Sequence, residues 1–329
     1  MVRREKAKKR PAVPDDISQL VIENEWAQTA GANPDRFLIY DNGRNADARV
    51  VIFASRVALT KMASSSTWFM DGCFAMSPKG FKQMYVIRVP LKDSAITTVY
   101  ALLPNKSQVI YEEMLRAIMS YCETINLFPD PTTILCDFEL AVIRAVEQVL
   151  GQDVAIQGCF YHFTQATWRK IQELQLSRRY KTDEDFRQFC AKLDGLAFLP
   201  VADVPGALAA LRDDAPDGAE ELVEYFSTNC VNGTYRRVQT ADEDGTIVVR
   251  VRRSRPRFPP ALWNVHDATI NNEPRTNNQC EGYNNRFAYL VGHTHPDIWE
   301  FIDAIKGEEC YVSTVVHSDN RGDPPKKRP

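Results

Sequence analysis

Apolar and β-branched residues fall into short runs along the first part of the chain. FLIY at residue 37 and VVIFAS at residue 50 flank the polar turn DNGRNADAR and read as strands. From residue 66, STWFMDGCF, FKQMYVIRVPL and ITTVYALLP are separated by Pro, Gly, Lys or Asp, which predicts an antiparallel meander of three strands. The pattern then turns helical: SQVIYEEMLRAIMSYC, with Ser107 as a plausible N-cap, places apolar residues at 110, 114, 115, 118 and 119. TTILCDF, after Pro129 and Pro131, is a continuous apolar run that suits a strand buried on both faces. ELAVIRAVEQVLG reads as a helix closed by Gly151, VAIQG from 154 as a strand, and CFYHFTQATWRKIQEL as another helix. Strand, helix, strand, helix adds parallel strands to the meander, so the fold class is α/β with a mixed sheet flanked by helices.

Between 177 and 262 the character changes. Helical stretches around 183–199 and 203–226 precede the polar loop RRVQTADEDGTIVVRVRRSRPRFPP, which carries Arg236, Arg237, Arg250, Arg252, Arg253, Arg255 and Arg257. Helices resume at 279–291 and 297–310. Residues 1–34 lack periodicity and predict a loose leader.

Composition narrows the class. With 329 residues, 44% hydrophobic and 10% aromatic, the chain can bury one large core or two ordinary ones. A net charge of -3 gives no global basic field, so DNA contact must come from local patches. The runs VRREKAKKRP and PPKKRP near the two ends are such patches, readable as nuclear-import signals, as phosphate-contacting tails or as solvated ends without function. The Arg236–Arg257 segment is open to the same two kinds of reading, phosphate contact or a solvated loop. No apolar stretch approaches the ~18 residues of a membrane span, and no apolar segment follows the basic start, which predicts an intracellular protein. Eight scattered cysteines without a CxxC pair read as free, mostly buried thiols. Trp168, Trp263 and Trp299 have apolar neighbours and read as core.

Three acidic residues are candidates for chemistry. Asp71, in WFMDGCF, lies either in a two-residue Asp-Gly hairpin turn or within a strand as a metal ligand. Asp137, at the end of TTILC, stands where ligands gather at the carboxyl ends of strands, or else caps the helix that starts near 139. Glu281, in RTNNQCEGYNNRF, fits a capping box with Asn278 and points away from the stripe Tyr283, Phe287, Leu290 and Val291, towards solvent or a cleft. Cys159 and His162 are three apart at a helix start, but zinc wants four such ligands and no second pair has suitable spacing, HTHP at 293–296 reading as a loop. No GxxxxGK, GxGxxG or GxSxG motif occurs, which removes the usual nucleotide-driven enzymes and hydrolase elbows.

In this order, WFMDGCF, VYALLPNKS, ILCDFELA, GCFYHFTQ, WRKIQELQL, LAFLPVADV, RPRFPPALWNVHD, RTNNQCEGYNNRF and HPDIWEFIDAIK resemble the transposase domain of Mutator-like elements, the MULE transposase family. The resemblance runs from about 37 to about 310. It implies an RNase H-like fold with a mostly α-helical insertion before the last catalytic carboxylate. The implied segments are a basic disordered leader 1–34, the first part of the core 35–176, the insertion with its Arg-rich loop 177–262, the end of the core 263–312 and a basic disordered tail 313–329.

Carried over by position, Asp71, Asp137 and Glu281 form the family's catalytic triad and hold two Mg²⁺ or Mn²⁺ ions, for which carboxylate oxygens are the matching donors. The family's C-x-x-H element falls on Cys159 and His162. The implied activity is cleavage and strand transfer of double-stranded DNA, at element ends and in target DNA, by a homo-oligomer in the nucleus. A domesticated relic that binds DNA or chromatin partners without catalysis is the alternative, and a stand-alone nuclease of RNase H type a third. Relatives commonly carry Trp-His after the glutamate, where this chain has Tyr283 and Asn284. Many also bear an amino-terminal zinc-binding module, where this chain shows a basic leader, which leaves end recognition open.

Overall fold

A computed structural model of the chain describes residues 10–241, 244 and 247–322. Residues cluster into two compact units, Met1–Ile156 with Asn277–Pro329, and Gln157–Thr276.

The first unit is built on a seven-stranded sheet of β1 (Leu38–Asp41), β2 (Val51–Phe53), β3 (Thr67–Cys73), β4 (Gln83–Leu91), β5 (Ser94–Leu103), β6 (Thr133–Cys136) and β7 (Ala155–Gly158). Their order is β1-β2-β5-β4-β3-β6-β7. β1 to β5 pair antiparallel and β6 joins β3 in parallel, so the sheet is mixed. The central strands are continuously apolar because both faces are covered. On one face Phe69, Val86, Tyr100 and Leu135 pack with Tyr283, Phe287, Phe301 and Ile305 of the helices Asn278–Val291 and Ile298–Asn320. On the other, Tyr85 meets Tyr111 of the helix Gln108–Thr124 with ring centroids 5.2 Å apart. Each large side chain buried this fully contributes about 2–3 kcal/mol.

Several elements depart from expectation. The leader is not loose from residue 10 onward. Arg49, 5% exposed, forms a two-pronged ion pair with Asp41 and donates to the carbonyls of Ile17 and Leu20 at 2.6 and 3.0 Å. Trp26 packs on Trp299 at 4.9 Å, and Arg10 pairs with Asp303 at 3.0 Å. Apolar residues too sparse to show a period dock one at a time, which is why the pattern hid them. A helix at Arg56–Ala63, capped by Ser55 Oγ accepting from Ala58 N, was not foreseen, since eight residues give only two turns of periodicity. The last helix runs on to Asn320, so residues 313–320 of the expected tail are helical. The basic runs at the two ends lie almost wholly outside the described residues.

The second unit is mostly helical: Phe160–Glu173, Ser177–Thr182, Glu184–Gly195, Val204–Asp213, Glu220–Phe226, Pro260–Trp263 and His266–Ile270. The helix expected at 203–226 is broken between 213 and 220, where Pro216 lacks a donor and Gly218 takes φ +79. Its core stacks Phe163 on Trp263 at 4.6 Å, with the indole N–H donating to the carbonyls of Cys230 and Phe258. Trp263 and Trp299 are buried and Trp168 is half-buried against Tyr180, each within its own unit. The arginine segment is not a loop but a two-stranded ribbon, β8 (Thr234–Ala241) and β9 (Ile247–Ser254).

Candidate functional site

Asp71 lies within β3, and the Asp-Gly turn does not form. β3 continues through Gly72 and Cys73, paired with Tyr85 and Met84 of β4. Because side chains alternate, Asp71 shares its face with Phe69, the face covered by the helices Asn278–Val291 and Ile298–Asn320. It is 7% exposed.

β3 and β6 run in parallel with Thr67 opposite Thr133, Trp68 opposite Ile134 and Phe69 opposite Leu135. The same register carried two residues further sets Asp71 opposite Asp137, one residue beyond the end of β6. Residues in register on neighbouring strands lie about 5 Å apart, so the chain leaves β6 at Asp137 level with Asp71. Asp137 is not the helix cap: the N-cap is Glu139, and the helix spans Leu140–Leu150.

Glu281 lies in the first turn of Asn278–Val291, a helix pinned to β3 at two points. Asn277 Nδ2 donates to Met70 O at 3.0 Å, and Asn284 Nδ2 donates to Asp71 Oδ2 at 2.7 Å. Glu281 is four residues after the first contact and three before the second, so it shares their side of the helix. Its expected capping box is absent. The N-cap is Asn277, which makes no side-chain capping bond because its amide reaches Met70 instead. The two asparagine bonds therefore seat the helix that carries Glu281 against β3.

Next to Asp137, Glu139 accepts from Tyr111 Oη at 2.8 Å and from Lys106 Nζ at 3.0 Å, while Gln83 Nε2 donates to Tyr111 Oη at 2.7 Å. Burial, with the neighbouring carboxylates Glu139 and Asp137, pushes the Tyr111 phenol well above its ordinary range, so it stays a donor at any working pH. Sequence reasoning missed Asn277, Tyr111 and Glu139, and singled out Asn284 only as a departure from the family pattern. The asparagines had a signal: 277, 281 and 284 follow the four-then-three spacing of one helix face.

In the second unit, Cys159 is buried as the N-cap of Phe160–Glu173 and His162 stands in the first turn. The ribbon's register sorts its arginines by face. Arg236 stands directly opposite Arg252, and Arg250 is the next residue along β9 on that face. Arg237 and Arg253 share the other face with Tyr235, Val249 and Val251. Arg255 and Arg257 follow the ribbon, and all seven arginines are exposed. No described helix is long and apolar enough to cross a membrane.

No curated protein matches the chain significantly. The strand that carries Asp71, the strand that leads to Asp137, and the Cys159–His162 helix start all fall within residues 67–166, the segment of this chain that matches the model of the MULE transposase domain.

Proposed function

We propose that this protein is a DDE-type DNA transposase that cleaves phosphodiester bonds and transfers the freed strand, with Asp71, Asp137 and Glu281 as its metal ligands. The observation that carries the reading is the β3–β6 register, which sets Asp71 opposite Asp137, together with the Asn284 bond that brings the Glu281 helix onto Asp71. The donor set suits the group. Carboxylates gathered on one face repel one another, and hard divalent ions take oxygen ligands, so Mg²⁺ or Mn²⁺ would offset that repulsion. Bound there, two ions would supply Lewis-acid activation of the attacking oxygen and stabilisation of the leaving one.

The residues of the chain hold the site in place. Asp71 is immobilised by hydrogen bonds on both oxygens, and Glu139 is held off by Tyr111 and Lys106 beside the second carboxylate. In the first reaction a water oxygen bonds to phosphorus at the element end and the 3′ oxygen leaves with a proton. In the second that 3′ oxygen bonds to a target phosphorus and the target's own 3′ oxygen leaves. Neither step consumes ATP.

The three-strand meander with a parallel strand beside its first member supports an RNase H-like core, and the mostly helical Gln157–Thr276 unit supports an insertion before the glutamate. The exposed arginines of the ribbon supply phosphate contacts to double-stranded DNA at element ends and target. Assembly of copies on DNA and a nuclear location accompany this reading, and sizing on duplex DNA and imaging in cells test them.

The test is nicking of supercoiled plasmid in Mn²⁺ by the wild type and by Asp71→Asn, Asp137→Asn and Glu281→Gln. Loss of nicking by at least a hundredfold in each folded variant is expected. Plasmid bound but left intact by the wild type would instead place the protein among noncatalytic DNA-binding derivatives.

A further inference from the structure

We propose that Asn284 is a positioning residue, holding Asp71 in the orientation that accepts a divalent cation and tying it to Glu281. The inference rests on the metal-site reading above. Asp71 accepts one hydrogen bond on each oxygen: Gly72 N–H reaches Oδ1 at 2.8 Å and Asn284 Nδ2 reaches Oδ2 at 2.7 Å. Two donors on two oxygens fix the carboxylate plane. The Gly72 bond is local to β3. The Asn284 bond spans the sequence from 71 to 284, and it starts one helical turn after Glu281, so a single amide sets the spacing between two proposed ligands.

The chemistry of the amide fits this task. A carboxylate only accepts, so the amide nitrogen must face Asp71. The amide is neutral and leaves the charge on Asp71 available to a cation, whereas an ammonium or guanidinium there would neutralise it. Asn284 Oδ1 is buried without a hydrogen-bond partner, a cost that an apolar side chain in the same space would avoid. The residue therefore makes poor sense as packing and good sense as a donor. An imidazole ring also carries an N–H donor, which makes His the conservative replacement that keeps the hydrogen bond.

The experiment is a Mn²⁺ titration by calorimetry on the full chain, with and without duplex DNA. It compares wild type, Asp71→Asn, Asn284→Leu and Asn284→His, each checked for folding by circular dichroism. Asn284→Leu fills the space without a donor and is expected to weaken Mn²⁺ binding about tenfold, the usual loss when a ligand's hydrogen-bond partner is removed. Asn284→His keeps an N–H and is expected to stay near wild type. A purely packing role would give the reverse order, rescue by Leu and not by His, and would overturn the proposal. If Asp71→Asn weakens binding but Asn284→Leu does not, only the role of Asn284 falls. If Asp71→Asn also binds as wild type does, the metal site falls with it.

Discussion

A carboxylate pays for burial in the second unit as well as in the first. Asp194 accepts from Thr167 Oγ1 at 2.7 Å, yet burial pushes its carboxyl from 3.8 up to about 6. Its folded pKa lies above the unfolded one, so the folded state binds more protons between about pH 4 and 6, and stability falls as pH rises through that window. Asp194→Asn should therefore stabilise the protein at pH 7.5 by about 1–2 kcal/mol, below the full value of the shift because the side chain is only partly shielded. That gain should vanish below pH 4, and urea denaturation at the two pH values measures it. Arg88 is a second buried charge, 6% exposed and 4.5 Å from the ring centre of Tyr283. Its guanidinium donates to Ala95 O, but Nε and Nη1 are buried without hydrogen-bond partners. Arg88→Met, similar in volume and free of the desolvation cost, should leave stability unchanged or raise it, while Arg88→Ala should lower it by about 2–4 kcal/mol through the cavity it opens. Thermal melts of the two variants separate the outcomes.

Among the elements, the arginine ribbon is the one whose sequence spoke least plainly. β8 and β9 put arginine at positions where a half-buried strand would show apolar residues, so the reading as a polar loop followed from composition. What makes the strands is an unbroken antiparallel register from Thr234–Ser254 to Ala241–Ile247, with β-branched Thr240 opposite Val248, which no single-strand pattern displays. By contrast, β3, β4 and β5 were legible because buried central strands are continuous apolar runs bounded by breakers. The placing of Asp71 within a strand and of Asp137 at a strand end was legible in the same way through β3 and β6, whereas Asn277 and Asn284 matter only through contacts made across the fold. In the ribbon, Arg236 opposite Arg252 repels in water by up to about 1 kcal/mol, a cost that a phosphate near both would offset. Replacing Arg236, Arg250 and Arg252 together by Ala should weaken duplex binding and flatten the log-affinity against log-salt slope by about 2–3, as fluorescence anisotropy across salt concentrations would read. Gly233 closes the ribbon at φ +75, where an added Cβ would meet the carbonyl oxygen of Ser254. Gly233→Ala should cost about 1–3 kcal/mol locally and speed hydrogen exchange in β8 and β9, leaving the seven-stranded sheet protected.

Across the whole molecule, the first unit is made from two stretches of chain, and only the return at Asn277 brings Glu281 to β3. Tyr283 and Phe287 bury themselves against Phe69 and Tyr100 on the same face that carries Asp71, so the packing that closes the unit also seats the Glu281 helix on β3. The role proposed for Asp71, Asp137 and Glu281 is to hold a divalent cation between them. The most direct measurement is the electron paramagnetic resonance of Mn²⁺ titrated into the protein, with duplex DNA present and absent, for the wild type and for Asp71→Asn, Asp137→Asn and Glu281→Gln. The account predicts bound Mn²⁺ in the micromolar to millimolar range and at least tenfold weaker binding in each folded variant. Equal binding in all four proteins, or none by the wild type in either condition, would contradict it.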